Sequence, residues 1–245
     1  MVAITGASSG IGAATAEVVA RAGYTTFMGA RRVEKIEEIA GAVGATALPL
    51  DVTDVESVEG FVREIGERAG RLDVLINNAG VAFGRDAVAD ARDEDWQRMW
   101  ETNVLGVMRM TRACLPLLRE SAGHIVNVGS VTSYEVYPGG AGYASTKWGV
   151  RALTQTLRLE LNGEPVRVTE IDPGLTQTEF SLVRFRGDRE RADRVYQGSG
   201  ALAGTDVAEC VLFAITRPPH VNIDDLVVRP VSEASAYLLN GRPRW

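Results

Sequence analysis

Tyr143 and Lys147 stand four residues apart, and the residues that follow, Trp148-Gly149-Val150-Arg151-Ala152-Leu153, keep helical apolar spacing. Both side chains therefore share one helix face, a phenol beside an ammonium. A free tyrosine has a pKa near ~10 and a neighbouring cation favours its phenolate, so such a tyrosine can give or take a proton near neutral pH. Upstream, the apolar run His124-Ile125-Val126-Asn127-Val128-Gly129 reads as a strand that delivers the hydroxyl of Ser130 at its C-terminal end. A tyrosine and a lysine at this spacing occur on many helices by chance. The pair gains meaning only from the elements that position it.

The chain has 245 residues, 45% of them hydrophobic, enough for a substantial core in a single domain spanning residues 1–245. A formal net charge of −6 without a long basic run argues against a nucleic-acid surface and favours small-molecule chemistry. Cys114 and Cys210 are far apart and belong to no ligand-like cluster. Neither a disulfide framework nor a metal site is expected, and a reducing, cytoplasmic setting fits. No apolar run approaches membrane-spanning length, and the short Met1-Val2-Ala3-Ile4-Thr5 start does not read as a secretory signal, so no membrane partner is expected.

What remains is a regular alternation of strands and helices. Val2-Ala3-Ile4 reads as a buried strand, followed by the turn Gly6-Ala7-Ser8-Ser9-Gly10-Ile11-Gly12 and a helix over 13–22. Glycines here permit a tight turn and close backbone approach to a pyrophosphate at a helix N-terminus, which makes Gly6, Ser8, Ser9, Gly10, Ile11 and Gly12 candidate cofactor contacts. The spacing is G-x-x-x-G-x-G, so position rather than the general fingerprint carries the reading. After the second strand, over 24–28, an acidic residue would hold a ribose 2′-hydroxyl, but Ala30, Arg31 and Arg32 occupy that place. A guanidinium suits a 2′-phosphate, which points to NADP(H) with Arg31 as its ligand. Of Arg31 and Arg32, one is expected only to begin the next helix, 33–43.

The third strand, 45–50, ends at Asp51 and Val52, where the Asp51 carboxylate can meet an adenine edge; Asp54 reads as an N-cap for a helix over 55–69. The fourth, 72–76, opens onto Asn77-Asn78-Ala79-Gly80. Asn77 serves either a turn or a cofactor, and Asn78, Ala79 and Gly80 are placed facing the cofactor. A long helix is expected over 93–120, with Asn103 inside it as either a satisfied core amide or the holder of a water. His124 and His220 fit no triad or metal spacing and are read as structural. The sixth strand, 166–171, leads to Asp172-Pro173-Gly174, and Pro173, Gly174, Thr176 and Thr178 join the candidate cofactor contacts. The charged, irregular segment over about 175–204 reads as a substrate lid. A last helix over 205–216, a seventh strand over 225–229 and a tail expected to dock on another subunit complete the chain.

Taken together, Thr5-Gly6-x-x-x-Gly10-x-Gly12, Asn78-Ala79-Gly80, Asn103, Ser130, Tyr143-x-x-x-Lys147 and Pro173-Gly174 resemble the short-chain dehydrogenase/reductase family across nearly the whole chain. The resemblance implies an α/β fold: a doubly wound, Rossmann-like, parallel seven-stranded sheet of order 3-2-1-4-5-6-7 with helices on both faces. It also implies a nicotinamide cofactor, a catalytic tetrad of Asn103, Ser130, Tyr143 and Lys147, and a homotetramer or dimer formed through the helices bearing Asn103 and Tyr143. In such a site Tyr143 protonates a carbonyl oxygen, Ser130 hydrogen-bonds it, Lys147 lowers the tyrosine pKa and holds the nicotinamide ribose, and Asn103 anchors a water. Some NADP-preferring members carry a basic residue in the glycine loop; Ser9 stands there, which leaves Arg31 as the chief discriminator.

The stretch from Pro173 to Asp188, with Val221-Asn222-Ile223, is similar to the NADP-dependent 3-hydroxy acid dehydrogenases. The small-molecule carbonyl or alcohol substrate expected from that likeness is serine, allo-threonine, or 3-hydroxypropionate with its semialdehyde. Arg184 or Arg186 can then hold a carboxylate bidentately, unless both are solvated or at an interface. The alternatives are a reductase of a larger ketone or aldehyde and a non-catalytic dinucleotide-binding sensor. The expected sign of the sensor, loss of Tyr143 or Lys147, is absent.

Overall fold

Val2–Thr5 (β1), Thr26–Ala30 (β2), Val74–Asn77 (β4) and His124–Val128 (β5) are buried along their whole lengths in the computed structural model, which describes residues 1–243. Strands covered on both faces need helices above and below them, and such sheets are parallel. With Thr46–Pro49 (β3), Arg167–Pro173 (β6) and Asp225–Val228 (β7), they form one parallel sheet of order β3-β2-β1-β4-β5-β6-β7, as expected. Gly10–Arg21 (α1), Val33–Val43 (α2) and Gly204–Ile215 (α9) bury Ala16, Val19, Ile36 and Val211 against one face. Val55–Ala69 (α3), Gly106–Ser121 (α5) and Ala141–Glu160 (α6) bury Phe61, Ile65, Met110 and Leu157 against the other. The strand order reverses between β1 and β4, and open sheets of this kind bind ligands beyond the strand ends at such a point.

Asp54 caps α3 as expected, its carboxylate accepting from Glu56 N at 2.9 Å. The helix over 93–120 is interrupted. Asp93–Trp100 (α4) passes into a single widened π-turn, Glu101–Leu105, before α5 begins. The buried Asn103 lies inside that turn, and its side chain meets the segment after β4 and α6. The segment after β6 carries two short helices, Phe180–Arg184 (α7) and Arg189–Arg194 (α8).

The tail folds back as a small hairpin, Leu238–Leu239 (β8) with Arg242–Pro243 (β9). It docks on its own chain: Ala236 N donates to Glu135 at 2.6 Å and Asn240 Nδ2 to Gly198 O at 2.9 Å. The last two residues of the tail expected to meet another subunit lie outside the described residues. No helix of the described residues is long and apolar enough to cross a membrane, and no cluster of histidine, cysteine and carboxylate side chains among them is placed to hold a metal.

Candidate active site

A cleft of about 450 Å³ opens where the strand order reverses. Its floor is the turn from β1 into α1. Gly6 has a φ of +65°, and a Cβ there would meet Ala79 Cα at 2.8 Å; a Cβ on Gly12 would sit 2.5 Å from Gly6 O and overlap the Asn78 amide. The tight turn thus depends on bare backbone, which is also what lets a pyrophosphate approach the helix. No side chain caps α1, so its first N–H groups stay open to an anion. Asn78 borders the cleft, but its amide donates to Thr5 O at 2.9 Å and Gly6 O at 3.2 Å, tying β4 to the glycine turn. Asn77 is buried and structural, donating to Thr111 and Asn127. Asp51 turns one carboxylate oxygen onto Thr53 N at 3.0 Å and Thr53 Oγ1 at 2.8 Å.

The two arginines after β2 behave differently. Arg31 is exposed at the rim and makes no hydrogen bond or ion pair among the described residues. Arg32 curls over the glycine turn, donating to Ser8 Oγ at 3.0 Å, Ser9 Oγ at 2.7 Å and Glu179 at 2.7 Å. Glu179 also takes Lys35 at 3.2 Å. This bridge across the cleft, from the segment after β6 to α2, has no local signature in the sequence. The bare backbone, the open helix end and the unengaged Arg31 guanidinium fit a dinucleotide bearing a 2′-phosphate.

At the other end stand Ser130, Tyr143 and Lys147, brought together by the end of β5 and the first turns of α6. Lys147 is buried and donates to Val128 O at 2.8 Å, with Nζ 5.8 Å from the centre of the Tyr143 ring. Asn103 is fully buried: its Oδ1 accepts from Val81 N at 2.8 Å, while Nδ2 donates to Val81 O at 2.9 Å and Thr146 Oγ1 at 3.0 Å. Its side chain is thus the satisfied core amide, and any water it anchors must meet its backbone. His124 packs against Thr169 Oγ1 at 2.7 Å and is pushed down to about 3 by burial and by Arg167, so it is a neutral, structural histidine.

The tyrosine departs from expectation. Burial pushes its phenol above its ordinary value, and Tyr137 adds to this, while the Ser130 hydroxyl and the Arg184 cation act to lower it. Burial also brings Lys147 down to about 8, against the pull of Glu170 and Asp172. Both groups lose water, and desolvation opposes the charged form of each. Tyr143 is therefore held protonated, the state that donates.

Of the two candidate carboxylate holders, one lines the cleft. Arg184 donates from Nε to Gly84 O at 3.1 Å and from Nη2 to Tyr137 OH, and lies 5.5 Å from the centres of the Tyr137 and Tyr143 rings. Arg186 is turned away, paired with Asp95 at 2.6 Å. Phe180 meets the Tyr143 ring edge-on at 5.4 Å. Sequence reasoning missed Glu233, which reaches in from the tail and accepts from Leu175 N at 2.8 Å, fixing the chain just after Pro173 and Gly174.

The family model described as short chain dehydrogenase matches residues 1–187. An uncharacterised oxidoreductase of Mycobacterium tuberculosis is 52% identical over 95% of this chain and 92% of its own length. An NADP-dependent 3-hydroxy acid dehydrogenase of Schizosaccharomyces pombe is 45% identical over 95% of this chain and 93% of its own. Among solved structures, the closed form of a serine dehydrogenase complexed with NADP⁺ superposes with a TM-score of 0.93 at 39% identity, covering 97% of both chains. The bare-backbone dinucleotide cleft, the clustered serine, tyrosine and lysine, and these matches converge: the chain belongs to the short-chain dehydrogenase family and is an NADP-dependent oxidoreductase.

Proposed function

We propose that the protein interconverts a small 3-hydroxy acid and its carbonyl form, with serine, allo-threonine and 3-hydroxypropionate as the candidate alcohols. One observation carries the substrate class: the Arg184 guanidinium lies 5.5 Å from the Tyr143 ring and keeps donors free after serving Gly84 and Tyr137. A carboxylate held by those donors would sit beside the Tyr143 ring. The S. pombe relative and the serine dehydrogenase structure support the same class by name.

Bound NADP(H) supplies or accepts the hydride at the carbon of the alcohol or carbonyl. The glycine turn, Arg31 and the strand-end residues Asp51, Val52, Ala79, Gly80, Thr176 and Thr178 are its proposed contacts. In reduction, Tyr143 gives its proton to the carbonyl oxygen and Ser130 hydrogen-bonds that oxygen as charge develops on it. Lys147, set on Val128 O, faces the phenol and keeps a positive charge behind it as the proton leaves. Asn103 holds the chain after Gly80 against α6 through Val81 and Thr146, so it positions Lys147. The segment over 175–204 closes on substrate as a lid, with Arg184 and Phe180 on its inner side. Copies pair through the faces carrying the exposed Trp100 and Trp148.

An NADP⁺-linked rate screen tests this reading. L-serine, L-allo-threonine and 3-hydroxypropionate should be oxidised at higher kcat/KM than uncharged alcohols of equal length. Turnover confined to bulky neutral carbonyls overturns the substrate class.

A further inference from the structure

The mechanism leaves unused two carboxyl groups buried directly beneath it. Glu170 and Asp172, two residues apart on β6, point to the same side of the sheet, the side covered by α6, and both are fully buried. Asp172 accepts from Ser130 N at 2.8 Å on one oxygen and from Tyr134 OH at 3.1 Å on the other. Glu170 lies against Asp172, Thr154 and Ser133, yet neither of its oxygens meets an aligned donor among the described residues. The two carboxyl groups clasp the backbone at Gly129, where a Cβ would lie 2.5 Å from Glu170 Oε1 and overlap the Asp172 carboxylate. The residue before the catalytic serine is thus bare because these groups fill its place.

Two adjacent carboxylates buried away from solvent cannot both stay ionised, and a proton between them gives Glu170 a partner. We infer that Glu170 and Asp172 share one proton, and that the single negative charge left on the pair fixes the Ser130 backbone and sustains the Lys147 ammonium. Both are positioning residues for the proton transfer at Tyr143. The charged surroundings agree. From α6, Lys147 and Arg151 face the pair, and both carboxyl groups act to keep Lys147 charged. Arg151 stacks on the Tyr134 ring at 3.7 Å and lies 3.7 Å from Asp225 of β7, which Arg158 already holds at 3.0 Å. Burial raises the proton affinity of both carboxyl groups, Glu170 to about 8.

Glu170→Gln and Asp172→Asn separate the charge from the packing. The glutamine amide donates to Asp172 as the shared proton does, so Glu170→Gln should keep kcat within about threefold, whereas Asp172→Asn, which moves the charge onto Glu170 and off the oxygens that hold Ser130 N and Tyr134 OH, should lower it about tenfold or more. In Asp172→Asn the alkaline fall in kcat should shift in pH, because the charge facing the ammonium then rests on Glu170 alone. These arms rest on the oxidoreductase reading. A second measurement does not. Folded Glu170 binds its proton more tightly than the unfolded carboxyl at 4.5, so the stability it contributes is complete below that value and is lost as pH rises through about 8. The Tm of the wild type should therefore fall relative to that of Glu170→Gln across this window. A Tm difference that is flat with pH overturns the shared proton, even if Asp172→Asn fails to fold. Equal losses of kcat in both variants with an unmoved pH profile overturn the positioning role.

Discussion

Replacing Arg184 by methionine keeps much of the side-chain bulk and removes its charge and its donors. Of the five N–H donors of an arginine, Gly84 takes one and Tyr137 another in this cleft, so three remain for a substrate carboxylate. Losing a charge-assisted pair of hydrogen bonds costs about 1.5–3 kcal/mol, which converts to a fall of ~10-fold to ~150-fold in kcat/KM. The same substitution removes a cation that lowers the Tyr143 phenol, an effect that reaches every substrate alike. A neutral control separates the two. With NADPH as cosubstrate, malonic semialdehyde should lose the full factor and an uncharged aldehyde of equal length no more than about threefold. Equal losses with both substrates would refute the carboxylate role and leave Arg184 as a neighbour of the tyrosine only.

Arg31→Ala should weaken NADPH binding by about tenfold or more and NADH binding little, in a fluorescence titration. Arg32→Ala should weaken both cofactors to a similar, smaller degree, because it loosens the glycine turn through Ser8 and Ser9. Alcohol oxidation needs the phenolate of a tyrosine held protonated, so its kcat should climb with pH into the alkaline range. Carbonyl reduction needs the Lys147 charge and should fall as pH rises through about 8; parallel pH profiles in the two directions would contradict this. Asn103→Ala takes its amide away from Val81 N and Val81 O and leaves Thr146 Oγ1 with Tyr143 O alone, and should cost about 2 kcal/mol or more of stability in denaturant melts.

Much of this molecule is written locally. The glycine turn, the N-cap at Asp54 and the alternation of buried strands with amphipathic helices each rest on neighbours within a few residues, so they were legible from sequence alone, while the sheet order was carried only by the family resemblance. Ser130, Tyr143 and Lys147 were legible for the same reason, carried by one strand end and one helix turn. What escaped depends on partners far apart in the chain. The π-turn around Asn103 answers to Val81 and Thr146, and no spacing within α4 or α5 announces it. Glu179 meets Arg32 across 147 positions, and Glu233 reaches Leu175 across 58. Glu170 lies in β6, an interior strand in which nothing near it in sequence announces a fully buried carboxyl group. The raised phenol of Tyr143 also could not be read from its lysine, because burial sets its direction and the groups that act against burial are Ser130 and Arg184.

The central claim is that Tyr143 gives and takes the proton of an NADP-linked hydride transfer, and Tyr143→Phe tests it most directly. Single-turnover oxidation of NADPH by the variant with malonic semialdehyde should slow by ~100-fold to ~10,000-fold, the usual contribution of a positioned general acid, while NADPH binds within about threefold of the wild-type affinity. A variant that turns over at close to the wild-type rate would contradict the account.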